Sequence, residues 1–296
     1  MVRAKDILFT PAGVGADVDS HEGYFESERG HIIVERRKFT AALSAAAGAP
    51  VLFGATPSYA RDAGHHPGVD GARLERDMAT ALAAELGDRA TARRVAPWSY
   101  DIGFDWSPPT ARVETFDFLV GYAFGNRAPA GGGDPTKVLY EPGPVNEQLA
   151  DTIARIRARR TVPVFAQWEI ARFLESKYRM SQVVSIEPEI AADGTITYLS
   201  TDGVAAQIEQ ARKGNPGGPG RAGVVGFRDH VKRCVLTTRG RNMEAFAPEG
   251  FEMPGTYDPE SGQIWTRRRD LYLVHDMTAQ WTMLKARLGA ELYPNG

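Results

Sequence analysis

The chain holds one cysteine, Cys234, among 296 residues, so no disulfide can form within it and no cysteine-rich zinc site can be built. No apolar run approaches the roughly 18 residues that a membrane-spanning helix needs. Charge of one sign is also missing. The 35 Lys and Arg and 37 Asp and Glu leave a net of −2, which excludes nucleic-acid binding by bulk charge. No Gly-x-Gly-x-x-Gly follows a strand and opens a helix, so a dinucleotide fingerprint is absent. A Gly-x-Ser-x-Gly elbow is absent too, which leaves a Ser-His-Asp hydrolase without support. What remains is 43% hydrophobic and 24% charged, enough apolar material for a sizeable core and too much for a disordered chain.

Residues 35–60 open with Glu35-Arg36-Arg37-Lys38-Phe39-Thr40, run through an Ala-rich, mildly apolar stretch and end in Ser58-Tyr59-Ala60. A basic pair, an apolar middle and a small-residue end is the order of a secretory signal, and Arg36-Arg37 resembles the twin-arginine type. On this reading 1–60 is an export signal with an upstream extension, cleaved after Ala60, and the protein is secreted or extracytoplasmic. The alternative makes 38–49 an internal helix stopped by Pro50, with a strand at 51–53, in a cytoplasmic enzyme.

Residues 61–115 read as a linker, a helix and an aromatic loop. His65-His66 in the linker is taken as a solvated pair, and no metal-ligand set or cofactor is assigned. Leu74, Met78, Leu82 and Leu86 recur every four residues and predict an amphipathic helix stopped by Gly87. Between Ala96 and Pro109, Trp98, Tyr100, Phe104 and Trp106 stand among Pro, Gly and Asp, which predicts an irregular covering loop.

From Phe116 strands and helices alternate. Apolar runs predict strands at 116–124, 161–166, 183–186, 222–227 and 243–246. Between them lie a helix capped by Asn146, one over 170–178, one opened by Ser200-Thr201-Asp202 and one over 230–238. A terminal helix over 268–288 sets Leu271, Val274, Thr278, Trp281 and Leu284 near one face. The order argues for an α/β domain over 116–296, an open, mostly parallel sheet with helices on both faces, a Rossmann-like three-layer sandwich.

Ligands of such folds bind at the carboxyl ends of the strands. Those ends carry Gly121 to Asn126, then Glu169, then Glu187, then Ser200 and Thr201, then Arg228, His230 and Arg233. A helix N-terminus beside Arg and His favours an anionic small molecule, with His230 as candidate general acid/base and Glu187 as an orienting carboxylate. Gly121, Asn126, Glu169, Ser200, Thr201, Arg228 and Arg233 are the candidate ligand contacts. The bland alternative makes Ser200 a helix cap and pairs Arg228 and Arg233 with Asp229 and Asp202. A non-catalytic binding role on the same fold stands beside the enzyme reading, with Trp98 to Trp106 as its surface.

The segment Val224-Val225-Gly226-Phe227-Arg228-Asp229-His230-Val231-Lys232-Arg233-Cys234 resembles the strand and His-x-x-Arg helix of the YdcF/SanA-like bacterial family. The opening strand with its Gly and Asn, and the acid after the third strand, follow that family's order over roughly 116–290. Two stretches depart from it: Gln167-Trp168-Glu169 stands where the family has a Ser-Gly-Gly-type turn, and Gly203 to Gln207 where it has a Glu-Asn pair. The resemblance implies the same α/β fold and a place at the cell envelope, and carries no reaction with it.

Overall fold

A computed structural model describes residues 70–215 and 218–293. The expected export signal and His65-His66 lie outside the described residues. The strands are β1 (Thr110–Ala111), β2 (Phe118–Gly121), β3 (Val164–Gln167), β4 (Val183–Ile186), β5 (Glu189–Ile190), β6 (Ile196–Thr197), β7 (Arg221–Val225) and β8 (Glu244–Pro248). The helices are α1 (Gly71–Leu86), α2 (Arg89–Gly103), α3 (Pro144–Arg159), α4 (Trp168–Ser176), α5 (Thr201–Arg212), α6 (Val231–Gly240) and α7 (Arg269–Leu292).

Six strands form one sheet in the order β1-β8-β7-β2-β3-β4, and every pairing in it is parallel. From β2 the chain winds outward through β3 to β4, then returns to β7 on the other side of β2 and continues to β8. The strand order therefore reverses between β2 and β7, the switch point of a doubly wound sheet. All five strands expected from the sequence are present, 183–186 with the expected bounds and the others shortened or shifted by a few residues.

Alternation along the central strands explains the three layers. Leu119, Val164, Ala166 and Val225 point to one face, where Leu149, Ile153 and Ile156 of α3 and Ile170 and Leu174 of α4 cover them. Phe118, Val120, Tyr122, Ala222 and Val224 point to the other, under Val204 and Ile208 of α5 and Cys234 and Val235 of α6. Both faces of the central strands β2, β3 and β7 are covered, as a parallel sheet requires. Gly121, expected to contact ligand, is here a packing residue: a Cβ on it would come within 2.8 Å of Ile153 and 3.2 Å of Ile170.

Three elements differ from the sequence expectation. The stretch holding Trp98 and Tyr100 is helical, part of α2, with Pro97 inside the helix. Asp88 caps its start through Ala90 and Thr91, and burial of Ala92, Ala96 and Ile102 outweighs the one N–H that Pro97 lacks. β1 comes from the region read as linker and loop, so the α/β unit begins before residue 116. On α7 the buried side chains are Tyr272, Asp276 and Gln280, a polar stripe at four-residue spacing. The expected apolar face is turned out, with Val274 68% and Leu271 42% exposed.

Candidate functional site

The carboxyl edge of the sheet gathers the N-termini of α3, α4 and α6, and residues 249–268, between β8 and α7, run across it like a strap. Pro254 accepts the Arg228 N–H at 2.8 Å. Tyr257 donates to Asp229 at 2.9 Å. Arg127 grips Asp258 through two bonds of 2.8 and 2.9 Å. The Asn126 carbonyl accepts the Gly262 N–H at 2.7 Å and the Ser261 hydroxyl at 3.3 Å. Asn126 is thus buried and anchors the strap.

The turn that follows β2 is shaped by Asn146, which the sequence reading took for a helix cap. It lies inside α3, accepts the Phe124 N–H at 2.9 Å and donates to the Gly125 carbonyl at 2.7 Å. Gly125 sits at φ +68°, and a Cβ there would meet Ser261 and Thr266 below 3 Å, so only glycine fits. At the switch point itself Phe124 stacks on Phe227 at 3.8 Å and 11°, with Tyr257 and Tyr272 edge-on to the pair. These rings fill the floor of the crevice.

Two groups of polar residues flank that floor. In the buried group, Asp276 of α7 accepts from Arg233 Nε at 2.6 Å and from Gln280, and Arg233 also reaches Thr201 at 3.1 Å and the Tyr272 hydroxyl at 3.2 Å. The Nδ1 of His230 stands 3.4 Å from the same carboxylate, off hydrogen-bond geometry. Burial, then the Arg233 charge, pushes the His230 pKa down to about 4, so the ring is neutral near pH 7. Asp276 is held well below the usual carboxylate range by His230 and Arg233, against the cost of its burial. Arg233 and Thr201 are therefore spent on joining α5, α6 and α7. Ser200 caps α5 through the Gly203 N–H, and Arg241 rather than Arg233 takes Asp202.

The exposed group centres on Asp229, itself 4% exposed. Arg269 meets it through two bonds of 3.0 and 3.1 Å, and Arg228 through longer contacts of 3.3 and 3.5 Å. One buried carboxylate thus orients two guanidinium groups whose side chains remain 50% and 60% exposed. Arg269 was not singled out in the sequence; its signal was the run Arg267-Arg268-Arg269 at the start of the terminal helix.

Glu169 and Glu187 lie apart from both groups. Glu169, in the first turn of α4, is buried with Oε2 unpartnered. Burial and then, more weakly, the neighbouring Glu187 raise its pKa to about 8 against the pull of its own backbone N–H. Glu187 is exposed and accepts the Ser185 hydroxyl at 2.7 Å. Glu169 lines a cavity of about 30 Å3 together with Gln167, Trp168, Tyr198 and Gln263.

Among the described residues no three His, Cys, Asp or Glu side chains converge to hold a metal ion, and no helix is long and apolar enough to cross a membrane. The fold and its edge define a doubly wound parallel α/β protein with an arginine pair at the switch point. No protein-family model, curated protein or solved structure matches the chain.

Proposed function

We propose that this protein binds an anionic small molecule at the carboxyl edge of its sheet, between the β2 and β7 ends, with Arg228 and Arg269 as the anion's contacts. The observation that carries the reading is the shared, buried Asp229: it holds two guanidinium groups by their Nε and Nη2 edges and leaves much of each side chain exposed. An oriented arginine pair suits the planar or tetrahedral oxygens of a carboxylate or phosphate. The N-terminus of α6, one residue beyond Asp229, adds a favourable field for negative charge. His230, buried and neutral near pH 7, serves this reading by packing edge-on against Tyr272 rather than by exchanging protons.

The export-signal layout of 35–60 and the resemblance to the YdcF/SanA-like family support a place at the cell envelope, which the mature N-terminus in the native host reads directly. The test of binding is calorimetry with inorganic phosphate and a panel of phosphorylated envelope precursors. The double variant Arg228→Gln, Arg269→Gln is expected to weaken binding by roughly a hundredfold or more, at about 1.5–3 kcal/mol per charged contact. Equal binding by the folded double variant removes the proposal. A protein-binding role is the second reading, favoured by the outward Leu271, Val274 and Trp281 of α7, since Trp98, Tyr100 and Trp106 are half-buried.

A further inference from the structure

The cavity beside Glu169 has the volume of about one water molecule and is polar on one side. What its polar groups have already spent decides what it can take. The Gln167 Oε1 accepts the Ala123 N–H at 2.7 Å, which fixes the amide and leaves its NH2 free. The Tyr198 hydroxyl oxygen accepts the Tyr140 N–H at 2.9 Å, so its own proton is the capacity that remains. Glu169 is 4% exposed, and among the described residues its Oε2 has no hydrogen-bond partner. No lysine or arginine lines the cavity. Backbone donors have used up acceptors on two sides, and hydrogens are left over.

From this geometry we infer that the Glu169 cavity is a subsite for one hydrogen-bond-accepting oxygen, a carbonyl or carboxylate oxygen of the ligand, received by the Gln167 amide and the Tyr198 hydroxyl beside the buried Glu169 carboxyl group. The inference rests on the carboxyl-edge reading for the ligand's anionic end and extends it: the ligand carries a second, acceptor oxygen. Glu169 follows β3 and Arg228 follows β7, with β2 between them, so the two subsites stand about two strand spacings apart, roughly 10 Å.

The groups facing Glu169 are Glu187 from the end of β4, Tyr198 from the segment before α5, Gln167 from β3 and Gln263 from the strap. Burial raises the Tyr198 phenol further above its ordinary range, so it keeps its proton through mildly alkaline pH. Glu169, held protonated near neutrality by its burial, is the group that changes as the solution becomes alkaline. Once ionised it repels an acceptor oxygen, and the subsite closes.

The probe is formate, small enough to place one oxygen in the cavity, followed by NMR through the Gln167 side-chain amide and the Trp168 indole at pH 6.5 and 9.5. The parent protein is expected to show saturable shifts whose affinity falls by roughly tenfold or more at the higher pH. Glu169→Gln, which keeps a neutral donor, is expected to bind at both pH values alike. The variant Arg228→Gln, Arg269→Gln is expected to leave this response intact, which separates the subsite from the arginine pair. Equal affinity of the parent at the two pH values, no saturable shift, or loss of the response in the arginine variant each overturns the inference. So does loss of binding in a folded Glu169→Gln chain.

Discussion

Asp276, which no local sequence pattern marks, ties α7 to α6. It is 1% exposed, and it answers the charge of Arg233, itself nearly buried, while holding Gln280 and the Tyr272 hydroxyl. Asp276→Asn keeps the shape and removes the charge, leaving Arg233 inside without a counter-ion. A loss of about 3–5 kcal/mol in urea unfolding is expected, the cost of breaking a buried pair from one side. His230 adds a pH dependence whose sign follows from its depressed pKa. Its unfolded value is near 6.5 and its folded value about 4, so the stability it contributes is present above pH 6.5 and lost as pH falls from 6.5 to 4. The loss is on the order of 3 kcal/mol. His230→Gln should flatten the unfolding profile across that interval, and a variant as acid-sensitive there as the parent would contradict the assignment.

Among the elements, those with a clean period were legible and those held by particular polar contacts were not. β2, β3 and β7 announce themselves as apolar runs because both faces of each are buried, and the border strand β4 is legible from its β-branched Val183-Val184 although Val184 is exposed. α2 was hidden because Pro97 reads as a stop, and the compensation, an Asp88 cap and three buried side chains, is visible only once α1 packs on it. α7 was found but turned the wrong way. Hydrophobic periodicity assigns the apolar side to the core, whereas pairing with Arg233 makes the polar stripe the cheaper one to bury. Lys232 of α6 ties the end of α2 to the sheet layer. Its Nζ meets the Asp101 carbonyl and carboxylate and the Asp105 carbonyl at 2.5–2.9 Å. Lys232→Met keeps the stem and drops these bonds, so amide exchange in α1 and α2 should quicken by at least tenfold while the central strands stay protected.

At the scale of the whole molecule, the alternation of strands and helices was legible in the sequence, and which side chains at the carboxyl edge of the sheet are already paired was not. Arg233 and Thr201 are used inside the protein, Ser200 is a cap, Gly121 is a packing contact, and Asn126 holds the strap. Such commitments depend on partners far along the chain, Asp276 and Gly262 among them, and no local pattern reports them. The sheet's two borders differ as well. On one, β1 is only two residues long and follows Pro108-Pro109, so it offers little free backbone to another chain. On the other, Val183-Val184-Ser185-Ile186 is paired on one side alone among the described residues, and Val184 is 43% exposed. A β-branched border strand without a charge of its own is a template for adding foreign strands, and self-association of this protein under stress should begin there. Val184→Lys should slow heat-induced aggregation, followed by light scattering, and leave the melting temperature nearly unchanged. A substitution of the same kind at Thr110, on the blunted border, should do little.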